Sequence, residues 1–142
     1  MDAHLRAARD RSGRQVTQRW IVDAMNVIGS RPDGWWKNRR GAIVRLIDQL
    51  ERWTPTQDRP VTVVLERPLS PPIDSGVIEI AHAPRAAANS ADDEIVRLVE
   101  ADNEPHEVTV VTSDGALADR VRSAGASVYP SASFRNLIDP VG

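Results

Sequence analysis

The sequence contains no cysteine, which excludes a disulfide framework and any thiolate metal site. Its three histidines, His4, His82 and His106, lie far apart, so zinc chemistry is not expected either. Lysine is reduced to Lys37, and a phosphoacceptor receiver domain needs one late in the chain. There is no Walker A loop, no Gly-x-Gly-x-x-Gly fingerprint and no Gly-x-Ser-x-Gly elbow, so readings as a nucleotide-cofactor enzyme or serine hydrolase lack support. A phosphatase of the haloacid dehalogenase type needs a second aspartate two places after the first, and Met25 stands there. No apolar run approaches the roughly 20 residues that span a bilayer. The arginine-rich start has no apolar core like that of a secretory signal, so the expectation is a cytoplasmic protein without a membrane partner.

What is present fits one globular domain: 142 residues, 41% hydrophobic and 27% charged. A net charge of -2 argues against a surface coated in positive charge, so any contact with nucleic acid must be local. Basic residues do cluster, at Arg6, Arg9, Arg11, Arg14 and Arg19, and again at Arg31, Lys37, Arg39, Arg40 and Arg45. Residues 1–18 show no periodicity and read as a mobile arm or a frayed helix. The domain is expected to occupy residues 19–142.

From Arg19 onward, short β-branched runs alternate with segments of helical period, the pattern of βα units around a parallel sheet. Trp20-Ile21-Val22, Val61–Leu65 and Val108–Thr112 read as strands, the latter two as continuous apolar runs covered on both faces. Val77–Ile80 and Ala126–Tyr129 are shorter and belong nearer the edges. Ile43, Leu46, Ile47, Leu50 and Trp53 form one helical stripe; Ile95, Leu98 and Val99 form a second, with Ser90 as its N-cap. Leu117 and Val121 mark a third helix, with Gly125 placed for a left-handed cap.

The acids follow this plan. Asp23, Glu66 and Asp114 each close a strand, and Asp92 opens a helix, so all four share the carboxyl edge of the sheet, where open α/β sheets bind ligands. Helix phase puts Asp92 on the inward stripe with Ile95 and Val99, whereas Asp93 falls on the flank and fits a capping box. Converging carboxylates repel one another unless a cation neutralises them. Oxygen-only ligands favour Mg²⁺ or Mn²⁺, which suits phosphodiester hydrolysis. Asp23 and Asp114 also have simple structural explanations, as a turn and as an N-cap, and Asp119 fits a surface pair with Arg120 or Arg122.

Three segments carry a family resemblance: Ile21-Val22-Asp23-Ala24-Met25-Asn26-Val27-Ile28, Ser90-Ala91-Asp92 and Val110-Val111-Thr112-Ser113-Asp114. In that order they resemble the NYN domain branch of PIN-like nucleases, particularly the YacP-like group. The resemblance implies a three-layer α/β/α sandwich around a mainly parallel sheet. It also implies metal-dependent RNA cleavage, endonucleolytic and in some members on ribosome-associated mRNA. Carried over by position, it implies metal ligation by Asp23, Asp92 and Asp114, with Asn26 as the accompanying polar residue. Asp93 and Glu66 are further metal candidates. Ala24 replaces the family's usual glycine, and Glu66 stands where many relatives carry Asp.

The segment Arg31–Arg40 combines basic and aromatic residues beside the first strand, as RNA-holding grooves do. Arg39, Arg40, Lys37 and Trp35 are the expected RNA contacts, with Trp36 the tryptophan more readily packed under the loop. A different class stays open: a non-catalytic module that docks on RNA or the ribosome.

Overall fold

The computed structural model describes residues 18–84 and 90–139, with the backbone of two short strands, β1 (Ala8–Arg9) and β2 (Gln15–Val16), which pair antiparallel. The rest of the predicted arm lies outside the described residues. Five further strands form one parallel sheet: β3 (Arg19–Asp23), β4 (Val61–Leu65), β5 (Glu79–His82), β6 (Val108–Val111) and β7 (Ser127–Tyr129), in the order β5-β4-β3-β6-β7. The two shortest apolar runs do lie at the edges.

Alternation along the strands divides the core in two. Trp20 and Val22 of β3, with Val61, Val63 and Leu65 of β4, face α1 (Ala24–Ile28), α2 (Arg39–Trp53) and α5 (Ser131–Ile138). Ile21, Val64, Val108 and Val110 face α3 (Ser90–Ala101) and α4 (Gly115–Ser123). The result is the expected α/β/α sandwich. None of the helices in the described residues is long and apolar enough to cross a membrane.

Local chemistry sets the helix ends. Asn38 caps α2, its Oδ1 accepting from Gly41 N at 2.9 Å, and a Cβ at Gly41 would lie 2.5 Å from the Asn38 amide nitrogen, so this cap needs glycine. Helix α4 ends as predicted. Gly125 has φ +104°, Ala126 N donates to Val121 O, and Gly125 N donates to Arg122 O, which together make a Schellman motif.

Two helices depart from the sequence expectation. The segment after Asp23 turns at once into α1. The residues after Pro130 form α5, whose Ser131, Phe134 and Ile138 are buried.

The topology places the site. From β3 the chain runs through α2 to β4 and β5, then crosses back through α3 to β6 on the other side of β3. Successive connections therefore diverge between β3 and β6, and a crevice opens there at the carboxyl edge.

Candidate active site

Asp23 ends β3 on the same side as Ile21, which by alternation directs its carboxylate toward α3 and α4. Only 6% of Asp23 is exposed. The β3–β6 register, which pairs Val22 with Val111, puts Thr112 beside it, and Thr112 Oγ1 donates to Asp23 Oδ2 at 3.0 Å. The same hydroxyl accepts from Asp114 N at 3.2 Å, so Thr112 joins two of the acids. Sequence reasoning passed over this residue as a strand end.

Asp23, Met25, Asn26, Glu66, Ser90, Ala91, Asp92 and Asp114 line one open cleft of about 280 Å³. The four predicted edge acids are thus brought together. Asp92 is half-buried with Ile95 and Val99 fully buried below it, as helix phase required. Asp114 also serves as the N-cap of α4, its Oδ1 accepting from Leu117 N at 3.0 Å.

The negative charge of this cleft is only partly compensated. Burial pushes the Asp23 carboxyl up from 3.8 to about 6; the Asp92 and Asp114 carboxylates push the same way, against the hydrogen bonds from Thr112 and from the Asn26 backbone. Asp92 is also raised, chiefly by burial and then by Asp114 and Asp93, with Arg120 opposing. The contrast with Glu94 is instructive. Glu94 has little exposed surface too, but it sits nearer the solvent and Arg97 meets it with two hydrogen bonds, at 3.0 and 2.6 Å, which hold its pKa down. Asp23 has no ion pair among the described residues. Arg120, the cation acting on Asp92, is itself 3.0 Å from Asp93.

Several expectations need correction. Ser90 is not an N-cap outside the helix: α3 already includes it, and its hydroxyl donates to the Glu66 carbonyl at 3.2 Å. Asp93 accordingly gives its carboxylate to Arg120 rather than to a capping box. The two tryptophans also exchange parts, because Trp35 packs against the core formed with α1 and α2, while Trp36 is 54% exposed. Arg39 lies 5.5 Å from the Trp35 ring centroid and 3.5 Å from Glu66, at the rim of the cleft. Lys37 and Arg40 are exposed and form no ion pair among the described residues. Asp119 pairs with Arg122 at 3.9 Å, as expected of a surface acid.

A second acidic group was not foreseen. Among the described residues, Glu104, His106 and Glu107 bring three potential ligand atoms within 4.8 Å of one another. They precede β6, at the end of the sheet opposite the cleft. The oxygens of Asp23, Asp92 and Asp114 are set wider than this.

Five parallel strands between two helical layers, with acids gathered where the connections diverge, define a PIN-like, nuclease-like α/β domain. Residues 20–141 match the family model of the YacP-like NYN domain, and the chain belongs to that family of RNA-related domains. The crystal structure of Rae1 (YacP) from Bacillus subtilis is similar, with a TM-score of 0.72 at 22% identity, covering 85% of this chain and 73% of that one. Its W164L mutant gives a TM-score of 0.68 at 21% identity, covering 85% and 74%. At such identities the likeness speaks for the fold. No curated protein matches the sequence.

Proposed function

We propose that the domain is a metal-dependent ribonuclease, an endoribonuclease acting on single-stranded or ribosome-associated RNA in the cytoplasm. The observation that carries this reading is the buried Asp23, raised to about 6, facing Asp92 and Asp114 across one cleft without a cation partner of its own. All the donors are oxygens, which fits Mg²⁺ or Mn²⁺, hard ions that take carboxylate ligands and keep several waters. Asp23, Asp92 and Asp114 would hold the ion, with Glu66 and Asp93 on its flanks. When bound, it supplies the charge that activates water and stabilises the phosphodiester transition state.

The chain's own residues contribute positioning. The Thr112 hydroxyl orients both neighbours, donating to the Asp23 carboxylate and accepting from the backbone N–H of Asp114. Arg39 and Arg40 occupy the first turn of α2, where the helix dipole favours anions over cations. Two arginines there are better explained by a phosphate backbone arriving at the rim than by helix stability. Trp36 offers the exposed ring for a base to stack on, and Lys37 adds charge beside it.

Melting curves with increasing Mg²⁺ or Mn²⁺, run beside cleavage of an end-labelled single-stranded RNA, test the reading. Wild type should gain about 2.7 kcal/mol when the ion reaches 100 times its Kd. Asp92→Asn should gain far less. Internal products should appear only with the divalent ion. Binding of RNA without cleavage, on naked RNA and on ribosomes alike, would establish the non-catalytic alternative instead.

The Arg39→Ala/Arg40→Ala double variant should weaken oligonucleotide binding and reduce the slope of log K against log salt by up to about 1.4, or about 0.7 for each lost single-strand phosphate contact. Stability should hold, because the exposed Arg39–Glu66 pair contributes at most about 1 kcal/mol. An unchanged salt slope would remove these residues from the interface.

A further inference from the structure

The C-terminal helix α5 reaches back into the cleft through residues that neither the strand pattern nor the acid pattern implicates. Ser131 is fully buried at its start. Ser131 Oγ lies 2.6 Å from Asn26 Oδ1, Ser113 N lies 2.8 Å from the same oxygen, and Ser131 N lies 2.9 Å from Ser113 Oγ. These directions are fixed by chemistry. A backbone N–H can only donate, so the Asn26 atom that Ser113 N meets must be the carbonyl oxygen, and Ser131 must donate its hydroxyl proton to it. One turn further along α5, Arg135 Nη1 donates to the carbonyls of Val27 and Ile28, both at 3.1 Å, and Nη2 donates to Asp33. Helix α5 therefore holds both the Asn26 side chain and the end of the short helix that carries it.

With its oxygen occupied twice, Asn26 has one side-chain group left, the amide nitrogen. That nitrogen has no partner among the described residues, and Asn26 lines the acidic cleft. We propose that Ser131 is a positioning residue, which holds the Asn26 amide so that Nδ2 serves the cleft as a hydrogen-bond donor to a phosphate oxygen of bound RNA. This rests on the nuclease reading above. It assigns Asn26 to the nucleic acid rather than to metal ligation, since the atom that could ligate an ion is already engaged. A free donor is scarce among the side chains that line the cleft, because its charged members are carboxylates and the Ser90 hydroxyl already donates to the Glu66 carbonyl.

The test uses the full chain, Mg²⁺ titrated by calorimetry, and a fluorescein-labelled single-stranded 2′-O-methyl oligoribonucleotide followed by anisotropy in Mg²⁺. Ser131→Ala should weaken oligonucleotide binding about threefold to tenfold and shift the Asn26 side-chain amide signals in ¹H–¹⁵N spectra, with Mg²⁺ affinity within twofold of wild type. Asn26→Asp keeps both acceptor bonds, and so the local fold, but cannot donate; at pH 8 it should lose tenfold or more in oligonucleotide affinity without weakening Mg²⁺. A purely structural role for Ser131 would lower both affinities together, and that result overturns the proposal. So does Ser131→Ala or Asn26→Asp binding the oligonucleotide like wild type. A wild type that binds neither Mg²⁺ nor the oligonucleotide overturns the nuclease reading itself.

Discussion

Replacing Asp23 with Asn is expected to stabilise the metal-free protein at pH 8 and to cut the proposed RNA cleavage by about 10³-fold. The folded-state pKa of about 6 lies above the ordinary 3.8, so the folded protein holds this proton more tightly than the unfolded chain does. The stability so contributed is fully present below pH 3.8 and is lost as pH rises through 6. Above that, the ionised carboxylate costs up to about 3 kcal/mol relative to a neutral group. Asn removes this cost but spoils one contact: the carboxylate accepts from both the Thr112 hydroxyl and the Asn26 backbone N–H, whereas an amide has a single acceptor oxygen and turns its NH2 toward the other donor. The net gain in EDTA should be about 1–2 kcal/mol, allowing about 1 kcal/mol for that lost bond. It should vanish at pH 4. Adding Mg²⁺ should reverse the order of stability, because the proposed site would hold the ion well only with Asp23 in place, while cleavage by the variant should fall by about 10³-fold, or ~4 kcal/mol of transition-state stabilisation. Urea melts at pH 4 and 8, with and without Mg²⁺, check the stabilities, and cleavage of end-labelled RNA checks the rate. A variant less stable than wild type in EDTA at pH 8 would mean that the Asp23 charge is not destabilised by its burial.

The same placement made Asp23 legible in the sequence. A strand of β-branched residues ending in an acid is visible without coordinates, and in a parallel sheet every such end shares one edge. Helix phase was equally visible, so Asp92 and Asp93 could be told apart before their surroundings were known. What stayed hidden depended on contacts between distant segments. The Ser90-to-Asp93 spacing matches a capping box, but Arg120 comes from another helix to take Asp93. Adjacent tryptophans have no period to separate them, so the partly buried Trp35 and the exposed Trp36 could not be told apart. Helix α1, at five residues, is too short to display a stripe. Thr112 and Ser131 read as ordinary hydroxyls because their roles arise only when β3, β6 and α5 meet.

Helix α5 has a second anchor, and its removal should give the largest loss of stability in the protein. Phe134 is fully buried, with its ring centroid 5.3 Å from those of Trp20 and Trp53 and 6.3 Å from Tyr129. Phe134→Ala leaves a cavity among rigid rings that cannot collapse into it, so the cost should be about 3–5 kcal/mol. At roughly 2–4 °C per kcal/mol for a chain of this size, Tm should fall by about 10–15 °C, with loss of near-ultraviolet circular dichroism from the aromatic cluster. Leu137→Ala is the matched control: it lies on the same helix, is 45% exposed, and should cost less than about 0.5 kcal/mol. The loss should also be uneven. Because α5 holds α1 through Ser131 and Arg135, hydrogen exchange in Phe134→Ala should quicken first in α5 and α1, while β3, β4 and β6 keep their protection. Uniform loosening across the sheet would show instead that the aromatic cluster supports the whole core, and that the hold of α5 on the cleft is incidental to it.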